Sequence, residues 1–286
     1  MKKSTITALL LLLIGITLLL PSLNATRGGA YYSDQVAVLM YHHIHDTDES
    51  SSTITSALFE QQLTYMRDKG YQFISLAEFE NFMKGGAVPD NAVFVTFDDG
   101  YESFYSHAYP ILGKFGVPAT VFVITDKQDN PQEYQPPYMT PVQVWEMTSA
   151  RPGIISAQCH THGMHNDPVT PYMTHRLVID GAKETEEQYR SRIAADTAAC
   201  IERMTPLGPE PINALAYPYG VYDRTSAELL KEAGIDFAFT IVPEMATRSR
   251  NPLQIPRINA GSPNISPERL HQTILRRIVA NPKAAS

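Results

Sequence analysis

Cysteine is scarce: only Cys159 and Cys200 occur in 286 residues. Two thiols cannot build a four-cysteine zinc module or iron–sulfur cluster, and they allow one disulfide at most. Positive charge is also in deficit, with 23 Lys and Arg against 30 Asp and Glu, a formal net charge of −7. A nucleic-acid binder needs a basic stripe, and the sequence offers no basic run that could form one. It has no glycine-rich dinucleotide turn, internal repeat or low-complexity tract, which sets aside dinucleotide-binding, solenoid and disordered classes. Long apolar runs are missing too, apart from Ile6 to Leu20, which follows Lys2-Lys3 and is closed by Pro21 and small residues near Ala25 and Ala30. That pattern is expected of a signal peptide over residues 1–30; extended to Leu23, it approaches the spanning length of an uncleaved N-terminal anchor. Residues 31–286 are then expected to work outside the cytoplasm, in the periplasm, on the envelope or secreted, with membrane association through the apolar segment where it is retained.

What is present is ordinary for a globular core, 43% hydrophobic and 19% charged residues. The length allows one large domain or two small ones. Strand-like runs at Val36–Tyr41, Val93–Phe97, Ala119–Ile124, Ile154–Ala157, Ala214–Tyr217 and Phe237–Thr240 alternate with helical patterns. The helices are expected near Leu58–Lys69, Leu76–Lys84, His107–Phe115, Pro141–Ser149, Glu187–Met204 and Arg224–Ala233, with a last one opened by Ser266 and Pro267. Such alternation implies βαβ units, hence a doubly wound sheet or a (β/α) barrel, and without a dinucleotide turn the barrel is favoured. The proline-dense stretch from Pro131 to Pro141 reads as one surface loop.

Two places carry chemistry. Asp98-Asp99-Gly100 ends the Val93–Phe97 run, where strand ends form the rim of an α/β sheet. Along a strand the two carboxylates would face opposite ways, so sharing a pocket requires a turn, which Gly100 permits. One acid can then bind a cation while the other stays free as a base. Taken alone, the pair could equally be turn or cap aspartates. The second place is His160-Thr161-His162-Gly163-Met164-His165. Two imidazoles and one carboxylate suit a divalent ion, most simply zinc, with nickel, cobalt or iron also accommodated, and leave positions open for water and substrate. Cys159 precedes His160; it could be a thiolate ligand, or a buried or paired cysteine facing away from the histidine. Tyr101, Tyr138, Trp145 and Tyr219 could offer ring faces to a ligand or fill the core.

Thr96-Phe97-Asp98-Asp99-Gly100 resembles the first motif of the polysaccharide deacetylases of carbohydrate esterase family four, the NodB-homology domain. His160-Thr161 with His165 resembles the second motif in the spacing of the biofilm poly-N-acetylglucosamine deacetylases; the commoner spacing would fall on Met164, and His162 is the reserve ligand. Ala216-Tyr217-Pro218-Tyr219-Gly220 resembles the third motif but lacks its leading arginine, a role that Arg257 in Ile255-Pro256-Arg257-Ile258 could take. Met40-Tyr41-His42-His43-Ile44 resembles the early histidine motif of the biofilm subgroup, whereas His271 lies in a different context from the family's late histidine.

The resemblance spans roughly Val36 to Ile258. It implies a distorted (β/α) barrel forming a single catalytic domain, and metal-dependent hydrolysis of N-acetyl groups on a β-linked N-acetylglucosamine polysaccharide. It further implies Asp99, His160 and His165 as metal ligands, Asp98 as general base oriented by Arg257, the Tyr219 N–H as oxyanion donor and His42 as general acid. Its rivals are an O-acetyl esterase or peptidoglycan deacetylase of the same architecture, and a non-catalytic carbohydrate-binding barrel, which the missing arginine would suit.

Overall fold

The computed structural model describes residues 29–280; the expected leader, apart from its last two residues, lies outside them. No helix among the described residues is long and apolar enough to cross a membrane.

The longest strands are β1 (Gln35–Tyr41), β5 (Ala92–Phe97), β6 (Ala119–Val123) and β7 (Ile155–Cys159), and every residue in them is buried. Burial on both faces explains why these strands read as unbroken apolar runs instead of alternating ones. With β10 (Ala214–Ala216), β11 (Phe237–Phe239) and the short antiparallel β12 (Ala246–Thr247) they form a sheet in the order β11-β10-β7-β6-β5-β1-β12. β4 (Gln72–Ile74) adds to the start of β5, and β13 (Ile258–Asn259) lies parallel to β1. Ile255 bridges Phe239 on β11, and β13 follows it three residues later, so one short segment joins both margins of the sheet. The result is the expected (β/α) barrel, distorted where that segment replaces a full strand.

Alternate residues serve different layers, as the two-residue strand period requires. Ala37, Leu39, Tyr41, Val93, Val95 and Phe97 pack outward against the helices. Val36, Val38, Ala92, Phe94, Phe122, Ala216 and Phe239 point into the barrel. The helix Leu76–Met83 plugs the end where the strands begin. Ser75 and Glu78 form its capping box, and Phe79 lies 5.1 Å from the Phe94 ring and 5.7 Å from Phe239. Truncating a phenylalanine buried this way costs about 3–5 kcal/mol. The opposite end, where the strands finish, stays open for a site.

The expected elements are present with shifted ends. β7 runs on to Cys159 because Cys159 pairs with both Val123 and Leu215. The helix expected from His107 starts earlier, as a π-helical turn at Phe104–Ala108 before the α-helix Tyr109–Phe115. The helix Glu186–Met204 carries Cys200, which is disulfide-bonded to Cys159 across 41 residues. Cys159 therefore faces the helix layer, and the thiolate-ligand alternative is excluded by the disulfide.

Candidate active site

The rim is built by backbone turns at three strand ends. Asp98 continues the β1–β5 ladder, its N–H donating to Tyr41 O at 2.9 Å, so its side chain follows Thr96 into the barrel. The chain then turns one residue before the expected glycine: Asp99 has φ 71° and Gly100 φ 81°. Glycine is still required, since a Cβ at 100 would lie 3.2 Å from Val123 Cα. Thr161 after β7 (φ 69°) and Tyr219 after β10 (φ 55°) are also left-handed. Such conformations cost non-glycine residues about 1–3 kcal/mol and cluster where geometry serves a site. The cost is highest for β-branched Thr161.

Inside the barrel Asp98 meets Arg257, which arrives on the closing segment just before β13. Two guanidinium nitrogens donate to the two Asp98 oxygens at 2.6 and 2.7 Å, and Nε donates to Thr240 O at 2.9 Å. Arg257 is fully buried and Asp98 nearly so. Burial alone would raise the Asp98 pKa, but the charges of Arg257 and His160 and the Arg257 hydrogen bonds outweigh it and hold the carboxyl below its usual range.

At the mouth, Asp99 Oδ1 lies 3.4 Å from His160 Nε2 and 3.4 Å from His165 Nε2. All three potential ligand atoms fall within 4.8 Å of one another. β7, which leads to His160, is separated from β5 by β6, so the two strand ends are about 10 Å apart at ordinary strand spacing. Their side chains bridge that gap. Asp99 Oδ1 is buried and has no hydrogen-bond partner, an expense that a bound cation would remove. The opposite ring nitrogen of His160, Nδ1, lies 2.8 Å from Ala216 O. Donating a proton there leaves the Nε2 lone pair aimed at Asp99, the arrangement usual for a metal-binding imidazole. Burial, reinforced by the neighbouring His160, lowers the His165 pKa to about 4, so its lone pair is free at neutral pH. The donor set fits a divalent ion.

His162 turns away: its Nδ1 meets Thr125 Oγ1 at 3.0 Å, and its amide donates to Asp196. Met164 is buried in the core. The reserve position and the commoner spacing thus both fall outside the cluster, and His165 is the one that joins. Asp196 was not foreseen. It accepts from the His162 and Gly163 amides at 2.8 and 2.6 Å and so holds the turn that presents His165; more than thirty residues away, it had no local signal.

His42 Nε2 lies 3.9 Å from Asp98 Oδ2, beyond hydrogen-bond range, while its Nδ1 is buried without a partner. Tyr219 lays its ring 4.4 Å from that of His165. Tyr101 bridges Tyr138 of the proline-dense loop, with ring centres 5.0 Å apart, so that loop walls the mouth. None of the four candidate aromatics is core: Tyr101, Tyr138 and Tyr219 are half-buried at the rim, and Trp145 is exposed on the helix Pro141–Ala150.

Comparison with known proteins adds a family match: residues 85–238 match the model described as polysaccharide deacetylase. A poly-beta-1,6-N-acetyl-D-glucosamine N-deacetylase of Staphylococcus aureus (strain MRSA252) is 27% identical over 206 residues, 72% of this chain and 67% of that protein. The enzyme of the same name from Escherichia coli (strain K12) is 27% identical over 240 residues, 77% of this chain but 36% of its own length. Among solved structures, IcaB from Ammonifex degensii superposes with a TM-score of 0.69 at 28% identity, covering 84% of this chain and 97% of that one. The Streptococcus pyogenes deacetylase PplD, in complex with acetate, gives 0.70 at 27% identity, covering 85% and 99%.

Proposed function

This chain belongs to the polysaccharide deacetylase family, and from that premise we propose that it is a metal-dependent hydrolase removing N-acetyl groups from a β-linked N-acetylglucosamine polysaccharide. The observation that carries the reading is the pairing of two sets: an ionised, arginine-held Asp98 beside an Asp99–His160–His165 cluster with an orphaned carboxylate oxygen. Relatives named for poly-beta-1,6-N-acetyl-D-glucosamine supply the substrate class.

Asp99, His160 and His165 would hold the ion, most simply zinc. When bound, it would supply Lewis-acid polarisation of water and of the acetyl carbonyl. Asp98, kept ionised by Arg257, would take the proton of the attacking water. The Tyr219 N–H, at the left-handed turn after β10, would donate to the oxyanion of the tetrahedral adduct. His42 would give a proton to the departing nitrogen, and acetate and a free amine would leave. Aromatic rings at the mouth offer faces for sugar rings. Action on an exported polymer agrees with the apolar leader and with the Cys159–Cys200 disulfide, a bond favoured outside the cytoplasm.

The test is acetate release from β-1,6-linked N-acetylglucosamine oligomers, with and without chelator and with the metal restored. Release that is lost on chelation and regained on restoration is expected. Equal release in both samples would refute the metal mechanism. Binding without any release would favour the carbohydrate-binding barrel, and release only from O-acetylated xylan would favour the esterase.

A further inference from the structure

A second group of metal-ligating side chains lies on the loop after His42: His43, His45 and Asp48, whose ligand atoms are all within 4.8 Å of one another. One carboxylate faces both rings. Asp48 Oδ2 is 3.0 Å from His43 Nε2, and Oδ1 is 3.1 Å from His45 Nδ1. The rings lie nearly parallel, 5.2 Å apart at 8°.

His45 Nδ1 is approached by two groups of Asp48, its carboxylate and its backbone N–H. The Asp48 amide also lies 3.0 Å from His45 Nδ1. If Nδ1 is bare it accepts that N–H, but its lone pair then faces the carboxylate oxygen. If it is protonated it serves the carboxylate, but then opposes the amide. A cation shared by Nδ1 and the carboxylate removes the conflict. His43 can present a lone pair too, through a hydroxyl instead of the carbonyl that serves His160. The His43 Nδ1 lies 2.7 Å from Ser103 Oγ, which can take the ring proton and leave the Nε2 lone pair directed at Asp48. The place is accessible, because His43, Asp48, Tyr101 and Gln135 line an open cleft of about 600 Å³.

We propose that His43, His45 and Asp48 form a second divalent-cation site, distinct from the Asp99 cluster, for a borderline ion such as zinc, nickel or copper. Two imidazoles and one carboxylate leave water in the remaining positions. The bound ion would clip the loop 45–53 to β2 (His43–Ile44) beside His42. It would also steady Tyr101, which packs edge-on against His43 at 5.5 Å.

The inference does not depend on the reaction, so its test is stoichiometry. The full chain, stripped with chelator and titrated with zinc alone by calorimetry, is expected to bind two equivalents. One should remain in His45→Ala/Asp48→Ala, one in Asp99→Ala, and none when all three changes are combined. His45→Gln alone should weaken the second equivalent at least tenfold, and circular dichroism shows whether each variant is folded. Two equivalents persisting in folded His45→Ala/Asp48→Ala overturn the proposal. So does a single wild-type equivalent abolished by Asp99→Ala. A single equivalent that survives Asp99→Ala but not His45→Ala/Asp48→Ala upholds it, while removing the metal from the proposed deacetylase centre.

Discussion

Replacing Arg257 with methionine keeps a long side chain in the barrel but strips Asp98 of its counter-charge. Both partners are almost inaccessible, and two short hydrogen bonds join them. Removing one member of a buried pair costs about 3–5 kcal/mol, because the other is left charged and unpaired. At roughly 2–4 °C per kcal/mol for a domain near this size, the melting temperature should fall by about 6–20 °C. The pH dependence is more diagnostic than the size. In the wild type the Asp98 pKa lies below its unfolded value, so its contribution is full above the unfolded pKa and is lost as pH falls through the folded one. In Arg257→Met, burial acts unopposed by the guanidinium and the folded pKa moves upward. Its penalty is then present at neutral pH and relieved as acid protonates the group. The stability gap between the two proteins should therefore be widest near pH 7 and narrow toward pH 4, and the acid limb of acetate release should move to higher pH. Urea unfolding at several pH values and a pH–rate profile measure both. A gap that is constant with pH, with an unmoved acid limb, would refute the assignment of Arg257 as the group that keeps Asp98 ionised.

Asp98→Asn should retain zinc bound at the Asp99 cluster but lose about 10²–10⁴-fold in turnover, the usual contribution of a positioned base; unchanged turnover contradicts that role. Metal binding at the cluster should weaken as pH drops. Burial opposes a charged His160, yet the adjacent Asp99 carboxylate, 3.4 Å away, and the Asp98 charge raise its pKa above the usual histidine value, so a proton competes with the ion there. Calorimetry in buffers of different ionisation enthalpy should register proton release on binding that grows from pH 8 to pH 6, and the absence of release across that range would contradict it. Replacing Cys159 and Cys200 together by serine should cost roughly 4 kcal/mol on the chain-entropy account for a separation of 41 residues. Equal denaturant midpoints for oxidised wild type and variant would speak against that constraint.

How legible the site was depended on how local each part is. The Val93–Phe97 run and the Asp-Asp-Gly that ends it are one continuous stretch, so strand, rim and acids could be read together. His160 could be read for the same reason. The choice between His162 and His165 could not be made from the residues without the family resemblance, because it rests on where Thr161 turns and on Asp196 holding the next two amides. The start of the turn at Asp99, ahead of Gly100, had no decisive signal either: aspartate tolerates the left-handed region better than most residues, but glycine next to it is the stronger candidate. The His43–His45–Asp48 group was visible only as histidines near His42.

By itself the amino-acid sequence determined the layers: apolar runs too uniform for a half-exposed sheet, helices marked by caps, and polar residues placed where strands stop. These follow from local periodicity and need no partner. The tertiary structure alone decided which strand ends meet. Asp98 and Arg257 are 159 positions apart and join only because the closing segment returns beside β1. Asp99 and His160 meet because just one strand separates β5 from β7. Sheet order sets those distances, and it is fixed by the packing of the whole barrel.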